Sequence, residues 1–217
     1  MKRILLNLVN NGQTYSQVNQ EIRQIQLVNL FFIIGLLSNA LFTYFNYTHG
    51  FIAMAYSQIG IILLITLSIL YFRKTQNYTI SSNLVLGMMF LTHLGLTLEG
   101  GINTTGLYWV HIFPAAAYFL KGTRVGTQWV IAIFLMMLSL FFAHTLNLIA
   151  LPYDPISLLI VMITFAVNAT LISHFETTRA MFETQSKMYH QELQVINNSL
   201  ETKIENEIQK GQKKMRF

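Results

Sequence analysis

The sequence predicts an all-α membrane protein in which six transmembrane helices are followed by a cytoplasmic coiled-coil helix. Three observations support this prediction: the composition, the length of the apolar runs and the one-sided distribution of basic residues. Hydrophobic residues make up 53% of the 217 positions and charged residues only 11%, too few to cover the surface of a water-soluble domain. The chain has no cysteine, which excludes disulfide bonds and thiolate metal sites.

Charged residues divide the chain into apolar runs of the length that a bilayer requires. A transmembrane helix needs about 20 apolar residues to cross about 30 Å of hydrocarbon. A polar N-terminal segment, 1–26, precedes the first run and lacks the apolar stretch of a cleavable signal peptide. No charge falls within the six candidate spans of the predicted 27–175 transmembrane domain, which are residues 27–47, 51–72, 79–98, 106–120, 125–148 and 155–175.

The sorting of charges predicts the orientation of these spans. All 14 Lys and Arg residues lie before the first span, after the second, after the fourth or after the sixth. The connectors on the other side carry only Glu99 and Asp154 as charges. By the positive-inside rule, both termini are expected in the cytoplasm, and the net charge of +5 suits anionic lipid headgroups better than nucleic acid.

The fourth span is short and begins in an unusual stretch, GGINTTGLYWVHIFP, at residues 100–114. As an α-helix, 106–120 would cover only about 22 Å. Either this helix starts near Gly101, or residues 100–105 dip below the outer interface and line a pocket there. Pro114 would free a backbone carbonyl one turn earlier and is a candidate hinge.

The segment 176–217 is polar, with apolar residues at helical spacing. Steps of three and four residues fit a heptad seam at Leu193, Ile196, Leu200 and Ile204. An isolated helix of this composition is marginal, which favours a parallel two-stranded coiled coil and a homodimer over a solvated single helix. The pattern breaks off without a cap, as expected of a fragment whose effector domain follows.

Intramembrane ionisable residues are candidates for a binding site. Counted from the outer ends of three spans, His93, His111 and His144 lie about 9, 7.5 and 9 Å deep at 1.5 Å per residue. They either share a polar pocket or each bond a neighbouring helix. A pocket for a small amphiphilic or polar ligand is the favoured reading; no cofactor is predicted, although histidines at one depth leave metal or haem ligation open. The predicted ligand-binding residues are His93, Glu99, Asn103, Thr105, Trp109, His111 and His144.

Two stretches carry a family resemblance. The pattern GG-x-x-x-TG-x-x-W-x-x-x-FP is similar to a segment in multi-span N-terminal input domains of bacterial signalling proteins, and it is matched by Gly100, Gly101, Thr105, Gly106, Trp109, Phe113 and Pro114. The stretch LETKIENEIQK looks like the coiled-coil linker before the phosphoacceptor domain of membrane histidine kinases, with matches at Leu200, Glu201, Ile204, Glu207, Ile208 and Lys210. Similar input domains also precede diguanylate cyclases.

This resemblance implies a sensory input and dimerisation module, with a histidine kinase or, as an alternative, a diguanylate cyclase as its effector. The chain has no phosphoacceptor box, ATP-binding glycine motif or GG(D/E)EF loop, so no catalytic residue is assigned and no enzyme activity is expected of it. A small membrane transporter or channel is an alternative of another class, but the sequence has no convincing inverted repeat and no acidic residue at mid-membrane. An intramembrane enzyme is a further reading, without a supporting motif.

Overall fold

The computed structural model describes the backbone of residues 20–214 and the side chains of residues 22–204. Throughout this described part the chain is helical and contains no strand. Two short 3-10 helices separate the third and fourth α-helices. In chain order the elements are α1 (Gln20–Thr48), α2 (Ile52–Thr75), α3 (Tyr78–Glu99), the 3-10 helices Ile102–Thr104 and Gly106–Ile112, α4 (Phe113–Thr145) and α5 (Pro155–Lys214).

Five helical segments in the described residues are long and apolar enough to cross a membrane, which indicates a multi-pass membrane protein. Their bounds are Ile22–Thr48, Ile52–Thr75, Tyr78–Glu99, Gly106–Thr145 and Pro155–Ile204. The first three agree with the first three expected spans to within a turn or two. The polar segment expected at 1–26 already contains the start of α1, and residues 1–19 lie outside the described part.

The fourth and fifth expected spans fall within one helical segment that is interrupted at Gly122. Gly122 has φ 68° and ψ −178°, which no residue of an α-helix adopts. A Cβ atom placed on Gly126 would lie 2.9 Å from the carbonyl oxygen of Ala117. Residues nine apart in a straight helix are separated by about 13.5 Å, so the chain bends sharply at Gly122 and brings Gly126 against Ala117.

Short polar contacts hold the helix ends on the side expected to face the cytoplasm. The Tyr78 hydroxyl donates to the carbonyl of Leu120, and Lys121 Nζ donates to the carbonyl of Thr79 at 2.9 Å. Asn77 caps α3 by accepting the backbone N–H of Ile80 at 3.1 Å. The Tyr78 and Lys121 bonds hold the start of α3 next to the bend at Gly122, because each joins a side chain on one side of the contact to a backbone carbonyl on the other.

The chain divides into two compact units, Met1–His174 and Phe175–Phe217. The second unit is helical as far as Lys214, and Arg179 pairs there with Glu176 and, at 3.3 Å, with Glu183. The expected seam residues Leu193, Ile196, Leu200 and Ile204 are all exposed in this single chain. The side chains of Glu207, Ile208 and Lys210, which belong to the linker resemblance, lie outside the described residues.

The contact at Gly126 predicts a strong position-dependent effect of adding one methyl group. Gly126→Ala should lower the free energy of unfolding by about 1–3 kcal/mol, because the new Cβ overlaps a backbone oxygen that cannot move alone. Gly87→Ala is the matched control, since a Cβ there meets nothing within 4 Å. Unfolding of detergent-solubilised protein measures both; equal stability of the two variants would contradict the close approach.

Candidate intramembrane ligand cavity

The glycines of the 100–106 loop are needed because backbone passes against backbone. Gly100 ends α3 with φ 86°, and its N–H bonds the carbonyl of Leu96 at 2.9 Å. The N–H of Gly106 returns to the carbonyl of Gly100 at 2.8 Å, and a Cβ at Gly106 would lie 2.7 Å from that same oxygen. The loop is therefore a tight turn that closes on itself, and α3 does not lead directly into the next helix.

The connector before α5 packs over this turn. A Cβ on Gly100 would lie 2.7 Å from Pro152, and the Tyr153 hydroxyl donates to the Leu96 carbonyl at 2.9 Å. Burial raises the pKa of the Tyr153 phenol to about 12, against a smaller opposing effect of a backbone hydrogen bond at Leu107. The phenol thus stays protonated and keeps donating to the end of α3.

The segment that follows the loop is a 3-10 helix of seven residues, Gly106–Ile112, which is longer than such helices usually are. It becomes an α-helix at Phe113, and Pro114 lies in the first turn of α4, not inside a continuous helix as expected. Pro114 has no N–H with which to extend the 3-10 bonding to the carbonyl of His111. Asn168 Nδ2 of α5 donates to that carbonyl instead, at 2.7 Å.

Side chains of two different helices bond this 3-10 helix. His93 of α3 is buried, with Nε2 2.8 Å from the carbonyl of Trp109 and Nδ1 2.5 Å from the carbonyl of Met89. The His111 ring points to α5, where its Nε2 lies 2.9 Å from Thr164 Oγ1. His93 and His111, which were expected to share one site, therefore face different elements. The His93 ring lies against the 3-10 helix, and the His111 ring lies against α5.

A cavity of about 260 Å³ lies between α1, α2, α3 and the 100–112 segment. Phe42 of α1 packs edge-on against the ring of Trp109 in its wall, with ring centroids 5.1 Å apart. Most of the lining is apolar, and among the described residues no Asp, Glu, Lys or Arg side chain borders the cavity. The polar side chains of the lining are Ser38, Asn39, Asn46, Gln58, Thr92, His93 and Thr105.

The cavity is polar at one end and apolar at the other. Asn46, near the C-terminal end of α1, donates through Nδ2 to Gln58 Oε1 of α2 at 3.0 Å, and both side chains are buried. The opposite end is lined by Phe32, Ile65 and Val85. Along α1 the lining runs from residue 31 to residue 46, which corresponds to about 22 Å at 1.5 Å per residue.

The predicted site residues separate into three groups. His93, Thr105 and Trp109 line the cavity together with Gly101 and Gly106. Glu99 and Asn103 are exposed and do not line it, and His111 faces α5. His144 accepts the backbone N–H of Leu151 at 3.2 Å and so belongs to the connector before α5. No group of three or more His, Cys, Asp or Glu residues that could hold a metal occurs in the described part.

Sequence reasoning missed Asn46 and Gln58 because it looked for ionisable residues. A signal for them was present: uncharged amides are uncommon within apolar spans, where they usually bond across helices. Asn46 and Gln58 lie near facing ends of a predicted hairpin, which is the arrangement that allows such a bond.

Comparison with protein-family models, with curated proteins and with solved structures finds no match for this chain.

The environment of Tyr153 predicts an alkaline effect on stability. An unperturbed tyrosine has a pKa of about 10, and the folded-state value is raised to about 12. The stabilisation is therefore complete below pH 10 and is lost as the pH rises through 12. Tyr153→Phe should be less stable than the parent at pH 8, and the difference should shrink between pH 10 and 12 in unfolding measurements. A difference that is constant over this range would contradict the buried, donating phenol.

Proposed function

We propose that this chain is the membrane sensory module of a signalling protein and binds a small amphiphilic ligand in the cavity between α1, α2, α3 and the 100–112 segment. The observation that carries the proposal is the shape of this cavity, which has polar amides at the outer end and aromatic and aliphatic walls further in. Ligand pockets are typically apolar with a few placed polar groups. A single-chain molecule with a polar head matches that gradient.

The 3-10 helix Gly106–Ile112 provides a route from the cavity to α5. Trp109 lines the cavity and its carbonyl bonds His93, whereas two residues later His111 bonds Thr164 and Asn168 of α5. Long 3-10 stretches often mark hinges, because their hydrogen bonds are poorer than those of an α-helix. Ligand contact at Trp109 would shift the segment, and α5 would follow through its two bonds.

The output of such a shift is the helical tail, because α5 continues beyond residue 175. We propose that two copies pair through Leu193, Ile196, Leu200 and Ile204, whose exposure in the single chain leaves an apolar stripe for a partner. The GG-x-x-x-TG-x-x-W-x-x-x-FP stretch and the linker resemble those of bacterial signalling proteins. This resemblance implies that the effector would be a histidine kinase, or alternatively a diguanylate cyclase. The chain itself would then transmit a signal and catalyse nothing.

We further propose that the Gly106–Thr145 segment crosses the membrane twice, giving six crossings with both termini in the cytoplasm of a bacterial inner membrane. The break at Gly122 and the approach of Gly126 to Ala117 support two crossings. Lys121 and Arg124 flank the break and suit a cytoplasmic turn.

Cysteine labelling distinguishes six crossings from five. The chain has no native cysteine, so single cysteines at Asn103, Leu148 and Thr123 report only their own positions. With six crossings, an impermeant maleimide should label Asn103→Cys and Leu148→Cys in intact cells and should spare Thr123→Cys until the cells are opened. If one long helix crosses once, Asn103→Cys and Leu148→Cys will label from opposite sides.

Filling the cavity should alter the pairing of the helical tails in the proposed dimer. Gly35 lines the cavity, and a Cβ there reaches 3.4 Å from Ile65, so Gly35→Leu places a side chain in the ligand space. We expect this variant to change disulfide crosslinking of Leu193→Cys in proteoliposomes by about twofold or more. Gly60→Leu, at an exposed position with open space around it, is the matched control and should leave crosslinking unchanged.

Two further results would bear on the same experiment. Val195→Cys, on an exposed position off the seam, should crosslink less than Leu193→Cys. Equal crosslinking at both positions would contradict the dimer, and identical crosslinking in Gly35→Leu and Gly60→Leu would contradict transmission from the cavity.

A further inference from the structure

The two buried amides at the outer end of the cavity are bonded to each other by only half of their hydrogen-bonding groups. Asn46 Nδ2 donates to Gln58 Oε1, whereas Asn46 Oδ1 and Gln58 Nε2 make no hydrogen bond within the described residues. The exposed fraction of Asn46 is 2% and that of Gln58 is 5%. Neither of these two atoms is among the fully buried side-chain atoms that lack a partner, so both are accessible beside the cavity and can bond a molecule that occupies it.

Either orientation of the two amides leaves a donor and an acceptor open. If both amides were turned over, Asn46 Oδ1 would accept from Gln58 Nε2, leaving Asn46 Nδ2 as donor and Gln58 Oε1 as acceptor. In either orientation the pair leaves at least one N–H and one carbonyl oxygen for a third group. A group that carries both a donor and an acceptor can bond both of them.

The other polar side chains of the lining bond backbone carbonyls. Asn39 Nδ2 donates to the carbonyl of Gly35 at 2.7 Å, and Thr92 donates to that of Met88 at 2.8 Å. Both ring nitrogens of His93 lie against carbonyl oxygens. Asn39 keeps an open Oδ1 but is only half-buried, so the Asn46–Gln58 pair is the buried pair of the lining that leaves both an amide donor and an amide acceptor for a ligand.

The lining also restricts charge and shape. The described lining residues include no Asp, Glu, Lys or Arg, so a charged headgroup would be desolvated beside them without a partner ion. A volume of about 260 Å³ lies below the range usual for drug-sized ligands, yet the lining extends over about 22 Å of α1. A small volume over that length suits one thin alkyl chain better than two chains or a fused ring system.

We propose that the ligand is an uncharged single-chain amphiphile whose headgroup pairs with Asn46 and Gln58 through one donor and one acceptor, as a carboxamide does. This proposal rests on the proposed function, because it specifies the occupant of the same cavity. The headgroup lies at the amide pair, and the alkyl chain runs inward towards Phe32 and Ile65.

Trp109 in the cavity wall provides the readout. In a Trp129→Phe background, Trp109 is the only tryptophan, because the chain has two. The full chain is placed in lipid nanodiscs, and Trp109 fluorescence is titrated with decanamide, methyl decanoate, decanoate and decylamine, each compared at equal mole fraction in the bilayer. Decanamide should half-saturate the change at a mole fraction about five- to tenfold lower than the ester, which lacks the donor. The two charged compounds should be weaker still.

Two variants assign this preference to the amide pair. In Asn46→Leu/Gln58→Leu both partners are replaced by apolar side chains of similar size, so no unpaired group remains. The amide should then lose its advantage over the ester, to within about twofold. Asn39→Leu is the matched control, since it removes an amide of the same cavity that bonds its own helix, and it should keep the preference.

The outcomes separate the two proposals. If no compound changes Trp109 fluorescence, or if the change persists in Gly35→Leu, the cavity takes up no amphiphile. The proposed function then fails together with this inference. If the ester, the carboxylate or the ammonium binds as tightly as the amide, or if the preference survives in Asn46→Leu/Gln58→Leu, the headgroup assignment is wrong while the ligand cavity stands.

Discussion

The need to satisfy backbone carbonyls away from water governs the centre of this protein. Pro114 removes the N–H that would bond the His111 carbonyl, and Asn168 of α5 supplies the missing donor. On the other side, His93 of α3 bonds the carbonyl of Trp109. In a membrane interior such groups cannot turn to solvent, so α3 and α5 are held to the 3-10 helix between them.

These bonds give one short segment two different neighbours. Residues 106–112 border the cavity through Gly106, Trp109 and Ile112, and they contact α5 through His111. The tight glycine turn at 100–106 and the Tyr153 bond to Leu96 fix the start of the same segment. A segment that is anchored at one end and bonded on both sides can pass a displacement from the cavity to α5, as the proposed sensory function requires.

The helices were largely predictable, because apolar length and terminal charges are local properties of the sequence. Residues 100–106 stood out in the sequence because clustered glycines allow close backbone approach, and in the structure they form a tight turn that borders the cavity. Depth along a helix does not specify which way a side chain faces: the His93 ring lies against the carbonyl of Trp109, whereas the His111 ring lies against Thr164 of α5. The Asn46–Gln58 pair depends on how α1 and α2 face each other, which depth and composition do not specify.

The most direct test of the central claim is a double-mutant cycle between the cavity and α5. Crosslinking of Leu193→Cys is measured in the parent, in Gly35→Leu, in Asn168→Leu and in the double variant. If the 3-10 helix carries the coupling through the Asn168 bond to His111, Gly35→Leu will change crosslinking in the parent and have little effect once Asn168 is replaced. Effects of the two substitutions that simply add would contradict this route.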